Sequence, residues 1–295
     1  MEWNRLEGWL NASPLWLIAS TLYAAMCIAA YVATVVRRHR ERVRPLNKDE
    51  ADGGRGTEGY IVSAVLGLLA LLLGFTFSLA VDRFDARRLL VLQEANAIDT
   101  AYLRSQLLNE PDRGRTTELL VRYLNNRIAL AKAPQAERRR LLAANDALIV
   151  DLWASTGAAL ETIKCYDWSS GFLDSINRVI ELDASRKAAR VARVPTAALA
   201  LLITYMITTA GVLGYVLRGH GGRTAAGVLL ALFTLTLVLI IDIDGPTTGG
   251  VFESQRPMEQ LRLFIVAQRP GAFDRWRTAQ AHPAPSSACP SLMRQ

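Results

Sequence analysis

Charge is scarce in this chain. Asp, Glu, Lys and Arg make up 21% of its 295 residues, where a soluble domain carries about 25%. The shortfall is concentrated in four long uncharged runs, which excludes a soluble enzyme and an intrinsically disordered chain. Cysteine is rare as well. Cys27, Cys165 and Cys289 fall in an apolar run, a polar region and a tail, and none has a partner at C-x-x-C spacing, so neither a disulfide scaffold nor a metal or redox motif is expected. Histidine is limited to His39, His220 and His282, each without an acid, Ser or Cys at motif spacing, and RGHGGR at 218–223 lacks the length of a P-loop. No catalytic residue, cofactor or metal is expected. Strand alternation and internal repeats are also missing.

What the chain has in excess is hydrophobicity and positive charge. Apolar residues reach 51% and Lys+Arg outnumber Asp+Glu by 34 to 27, a net charge of +7. No basic stripe interleaves with aromatics, so nucleic acid is not an expected partner. Cationic flanks suit anionic lipid headgroups instead, at about 1 kcal/mol per Lys or Arg near the surface.

Four runs are long enough to cross a bilayer: Leu15–Val36, Tyr60–Val81, Thr196–Leu217 and Thr224–Ile241. At about 1.5 Å per residue they span roughly 27–33 Å, the thickness of the hydrocarbon layer. Trp16, Tyr23, Tyr31, Tyr60 and Tyr215 lie near their ends, where amphipathic rings favour the headgroup level. The first run is too long for a secretory h-region, so residues 15–36 are expected to remain as an anchor. The predicted fold class is an all-α membrane protein with four transmembrane helices and a helical extramembrane domain between the second and third. The organisation is an N-terminal segment at 1–14, spans one and two at 15–81, the domain at 82–195, a hairpin at 196–241 and a polar tail at 242–295, disordered after about 270.

Between spans one and two, Pro45, Gly53, Gly54 and Gly56 predict a flexible polar loop over 37–59. Within 82–195 the apolar spacing is helical throughout. Span two is expected to continue without a break to about Leu108, where EPDRGR stops it. Further helices are predicted over Thr117–Lys132, Gln135–Lys164 and, capped by Ser169 or Ser170, to about Val194. An amphipathic stretch, MEQLRLFIVAQ, falls within 252–268.

The second span carries the most informative pattern. Ser63, Gly67, Ala70, Gly74 and Ser78 form one stripe of small side chains on a helix. In lipid such stripes let helix backbones approach, either against another span or around an oligomer axis. Leu71, Phe75 and Leu79 recur every four residues, as a lipid-facing ridge or as an apolar constriction gating by dewetting. Asp82, Arg83, Asp85, Arg87 and Arg88 follow at the membrane boundary. They make a salt-bridged helix entry, with Asp85 and Arg88 in pairing distance, or a ring of charge at a pore mouth. Glu94, Asn96, Asp99 and Thr100 then read as an interhelical polar network or a ligand site. Asp242 and Asp244 leave span four as a carboxylate pair for a cation or a proton, or as partners for Arg83, Arg87 or the loop cations.

The run VLGLLALLLGFTFSLAVDRFDARRLLVLQEANAIDTAYLRSQLL and the run IDIDGPTTGGVFESQRPMEQL resemble the bacterial bestrophin-like membrane proteins, a family built on a domain of unknown function. The resemblance covers about residues 15–265. Gly245 stands where the family pattern has Arg before Pro. The likeness implies two spans, a helical middle and two further spans. It also implies a distant relation to bestrophins, pentameric anion channels gated at a hydrophobic neck. The expected function is therefore an oligomeric ion channel in the bilayer of a bacterial inner membrane. The alternative is a non-transporting scaffold or sensor whose helical domain binds a partner protein. Sidedness is open from charge alone. Nine cations lie in 37–59 and 218–223, against three on the other side, or eleven once those flanking the helical domain are counted. The family likeness tips the expectation towards cytoplasmic termini and a cytoplasmic helical domain.

Overall fold

The computed structural model describes residues 13–43, 48–245, 250–269 and 271–274. Among them there is no strand. The helices in chain order are α1 (Leu15–Val43), α2 (Lys48–Ser105), α3 (Asp112–Lys132), α4 (Gln135–Ile163), α5 (Ser169–Val191), α6 (Thr196–Val216), α7 (Gly219–Asp244) and α8 (Arg256–Ala267), followed by a 3₁₀ turn at Ala272–Asp274. The chain is an all-α membrane protein, and four of these helices contain a segment long and apolar enough to span a bilayer. It divides into two compact units, one of Met1–Asp85 with Arg190–Glu253 and one of Ala86–Ala189 with Ser254–Gln295.

In the first unit, α1, α6, α7 and the apolar part of α2 bury a common core that includes Met26, Leu69, Met206, Leu213 and Leu237. The helix of span one continues past Val36. It takes in the basic run to Val43, with Arg40 and Arg42 in the last turn, where cations complement the helix dipole. The predicted loop over 37–59 is likewise mostly helical, because α2 begins at Lys48 and passes through Gly53, Gly54 and Gly56. Glycine weakens a helix by about 1 kcal/mol but keeps its N–H, unlike proline. Pro45 lies outside the described residues. The hairpin between α6 and α7 is tighter than its six-residue spacing predicts, since only Leu217 and Arg218 separate the helices and α7 opens on Gly219 at φ +72°. That left-handed conformation favours glycine.

Spans one and three meet most closely at Gly214. A Cβ there would collide with the backbone of Ala30, its carbonyl oxygen first. The Thr34 hydroxyl donates to the carbonyl of Gly214 at 2.9 Å and to that of Ala30 at 2.8 Å. Backbone contact sealed by a hydroxyl is the packing mode expected where water is absent. Arg37 extends the seam, donating to the carbonyls of Tyr215 and Leu217 at 2.7 and 3.1 Å.

In the second unit, the C-terminal part of α2 packs with α3, α4 and α5 around Ile98, Leu120, Tyr123, Leu152, Phe172 and Ile176. Its helix breaks lie where Pro111, Pro134 and the Tyr166–Trp168 turn fall. Residues 256–274, placed in the polar tail from sequence, return to this core. Met258 and Leu261 are buried in it, Lys132 meets Glu259 at 2.6 Å and Arg113 meets Asp274 at 2.8 Å. The ring of Phe273 stands edge-on to Tyr102 at 5.9 Å.

Gly214→Ala is therefore expected to lower the thermal unfolding midpoint in detergent, at a cost of roughly 1–3 kcal/mol for overpacking. Gly211→Ala, three residues away and facing open space, should leave the midpoint within a degree or so of the parent. Equal midpoints for the two variants would contradict the contact.

Candidate functional site

Two constellations stand out, one in each unit. The first is a face of α2. Leu69, Leu73 and Ala80 turn into the core of the first unit, and a helix period of 3.6 then sends the opposite face outward. Ser63, Gly67, Ala70, Gly74 and Ser78 are all exposed. Nothing lies within 4 Å of a Cβ built at Gly67 or Gly74. The stripe thus does not pack against another span of its own chain. Leu71 and Phe75, exposed by 53% and 66%, sit beside it, and Leu79 is exposed to a lesser degree.

The same outward face continues through Asp82, Asp85 and Arg88, all exposed. Asp85 and Arg88, though three residues apart, form no ion pair with each other. Arg83 is half-buried and Arg87 is buried. Further along, Asn96 and Thr100 are exposed and line a polar cleft of about 370 Å³ with Arg104, Asp174 and Arg178.

The second constellation is a buried charge cluster in the helical unit. Glu94 on α2 is wholly enclosed. It accepts hydrogen bonds from the Tyr123 hydroxyl and from Arg186. Arg127 reaches it from α3 with Nη2 at 3.2 Å, while Nε lies 2.9 Å from Oε1 but off the line of a hydrogen bond. Asp183 on α5 takes Asn145 Nδ2 at 2.9 Å, Lys187 Nζ at 2.7 Å and Arg127 Nη1 at 3.3 Å. Lys187 also bridges to Asp146 at 2.5 Å. Three acids face three cations, so the cluster closes on itself electrically. Burial, and then the charge of Glu94, push the Tyr123 hydroxyl well above its ordinary pKa of 10.0. Burial opposes the charge on Arg127, yet Glu94, Tyr123 and Asp183 beside it hold its pKa above the usual value. Four helices are tied together by this cluster.

Sequence spacing grouped Glu94 with Asn96 and Asp99, and the structure separates them. Glu94 points into the core, Asn96 is solvent-facing, and Asp99 is half-buried with one oxygen unbonded. Arg127, Asn145, Asp183 and Arg186 were not singled out from sequence. The available signal was a charged or amide residue at an apolar helical position on each of α3, α4 and α5. Asp242 and Asp244 each accept a different backbone N–H. Asp244 is buried and accepts the Val194 N–H at 3.1 Å through either oxygen, fixing the chain just before α6. Asp242 accepts the Gly250 N–H at 2.8 Å. Among the described residues no group of three or more His, Cys, Asp or Glu is arranged to hold a metal ion.

A family model, the bestrophin-like domain, matches residues 24–252. The chain belongs to the bestrophin-like family. No curated protein matches it, but solved structures do. The bestrophin-like chain is similar to a bacterial Bestrophin homolog from Klebsiella pneumoniae, with 17% identity and a TM-score of 0.60 over 85% of this chain and 99% of that one. A point mutant of the same homolog matches at 18% identity and a TM-score of 0.62, over 84% and 98% of the two chains. At this identity the likeness shows a shared fold.

Glu94→Gln should unfold the helical unit more readily by about 3–5 kcal/mol, because it leaves buried guanidinium groups short of a carboxylate. A Lys187→Met change, at the half-exposed rim of the cluster, should cost about 1 kcal/mol or less. Chemical denaturation followed by circular dichroism separates the two. In an alkaline titration followed by tyrosinate absorbance, Tyr123→Phe should remove no signal near pH 10 from the native protein. Since the native pKa lies above that of the unfolded chain, the contribution of Tyr123 to stability is lost as pH rises past 10.

Proposed function

We propose that the protein is an oligomeric ion channel of the inner membrane, with α2 of each copy facing a common axis. The observation that carries this reading is the uncovered face of α2. It combines a stripe of small residues with the apolar side chains Leu71, Phe75 and Leu79, in a helix whose opposite face turns Leu69, Leu73 and Ala80 into the core. Small residues let neighbouring copies of α2 approach. Phe75, with Leu71 and Leu79, narrows the passage and gates it by dewetting. Asp82, Asp85 and Arg88 then form rings of charge at one mouth, where fixed charge biases which ions enter. The termini and the helical domain are assigned to the cytoplasm and the chain is read as catalysing no reaction. A distant relation to bestrophin homologs supports the channel over a scaffold.

In liposomes, Phe75→Ala should raise resting ion flux severalfold with unchanged oligomer size, measured by dye-reported flux and by native mass spectrometry. A monomeric parent protein, or a Phe75→Ala variant with parental flux, would overturn the reading. Gly74→Leu should break the oligomer while leaving each protomer folded, because the space at Gly74 is open within the protomer.

Sidedness is tested by reporter fusions at Gly8 and at the exposed Lys164 turn. Asn145 is unsuitable for an insertion because it is buried in the charge cluster. Both fusions should report a cytoplasmic location.

A further inference from the structure

The membrane unit contains a cleft of about 280 Å³ between α1, α6 and α7. Ala30, Leu213, Ala226 and Leu230 give it an apolar body, while Tyr31 and Arg223 stand at its edge. Arg223 directly precedes span four. Leu230 lies seven residues further along α7, about 10 Å deeper at the helical rise. The cleft therefore runs from the headgroup level into the hydrocarbon.

The hydroxyls in and beside its deeper part are already engaged. The Thr34 hydroxyl is spent on backbone carbonyls, and the Tyr23 hydroxyl lies 3.5 Å from the carbonyl of Gly227. A water needs two to four polar partners to stay in such a space, and between Leu213, Ala226 and Leu230 the lining is apolar. In a bilayer, the apolar material at hand is an acyl chain.

Arg37 and Arg218 share one acid, Glu41, at 3.7 and 3.6 Å. Arg223 is exposed and has no acid partner among the described residues. Its guanidinium is open to an anion, and arginine matches the geometry of phosphate oxygens.

We propose that this cleft binds an anionic phospholipid, with one acyl chain along Ala30, Leu213 and Leu230 and the phosphate on Arg223. The site is independent of ion conduction and of the uncovered face of α2. Small residues at 226 and 227 hold it open, and the close approach of Gly214 to Ala30 forms one wall.

The test uses the full-length protein, purified and stripped of lipid, then titrated with phosphatidylglycerol, phosphatidylcholine or inorganic phosphate. Binding is read by native mass spectrometry and by the shift in thermal midpoint. Phosphatidylglycerol should bind about tenfold or more tightly than phosphatidylcholine, as expected for one charge-assisted contact, and should raise the midpoint. Arg223→Gln, a change at an exposed position, should erase that preference. Gly227→Leu, which fills the cleft and leaves the arginine in place, should weaken both lipids. The proposal is overturned if Arg223→Gln keeps the parental preference. It is also overturned if inorganic phosphate alone raises the midpoint as much as phosphatidylglycerol, since the acyl chain would then be irrelevant. A change of oligomer size in Gly227→Leu would mean that a second copy of the chain fills the cleft, and would likewise overturn it. Should Gly227→Leu fail to fold, the Arg223→Gln titration decides alone.

Discussion

Hydrocarbon offers no hydrogen-bond partner, so every segment that crosses it must close its own backbone bonds. That requirement makes the spans helical and also governs their side chains. Thr21, Thr76, Thr204, Thr208, Thr209, Thr234 and Thr236 all return their hydroxyls to a carbonyl four residues back in the same helix. Thr34 does so as well, and reaches the carbonyl of Gly214 with the same oxygen. With these hydroxyls satisfied mainly within their own helices, the spans are joined by close contact and by a few bonds such as Thr34 to Gly214 and Tyr205 to Val65. Contact is closest where two small residues coincide, at Ala30 and Gly214.

The helical unit solves a different problem with the opposite chemistry. Glu94, Arg127, Asp183 and Arg186 are almost fully enclosed, at a desolvation cost that an apolar core would avoid. Their arrangement offsets that cost by pairing every charge, and it demands that α2, α3, α4 and α5 sit in one register. Glu94 belongs to the same uninterrupted helix as Gly67 and Gly74. One element thus carries a face left open in the membrane segment and a carboxylate locked at the centre of the helical core.

Much of the secondary structure was legible because its signals are local. Uncharged runs of 18 to 22 residues report the spans, and Pro111, Pro134 and Pro195 sit at helix boundaries because they lack an N–H. Polar linkers were read less well. The stretch around Gly53–Gly56 looks like a loop by composition, yet it continues α2, since glycine alone does not stop a helix that is anchored downstream. The site was only partly legible. The small stripe on α2 was visible, but its environment was not. Gly214 looked no different from Gly67, and one is jammed against a neighbouring backbone while the other faces open space.

By itself the sequence determined that the chain is helical, that it crosses a membrane, where its helices break and which residues share a face of each helix. These follow from hydropathy, proline chemistry and the 3.6-residue period, all of which act over a few residues. Only the tertiary structure decided which faces are covered. It brought Glu94 to Tyr123, Arg127 and Arg186, partners 29, 33 and 92 residues away. It set Asp244 against the backbone N–H just before α6, and it placed Arg223 on the lining of a cleft. The physical reason is that periodicity sets the direction of a side chain on its own helix, whereas burial and pairing depend on which helix arrives opposite.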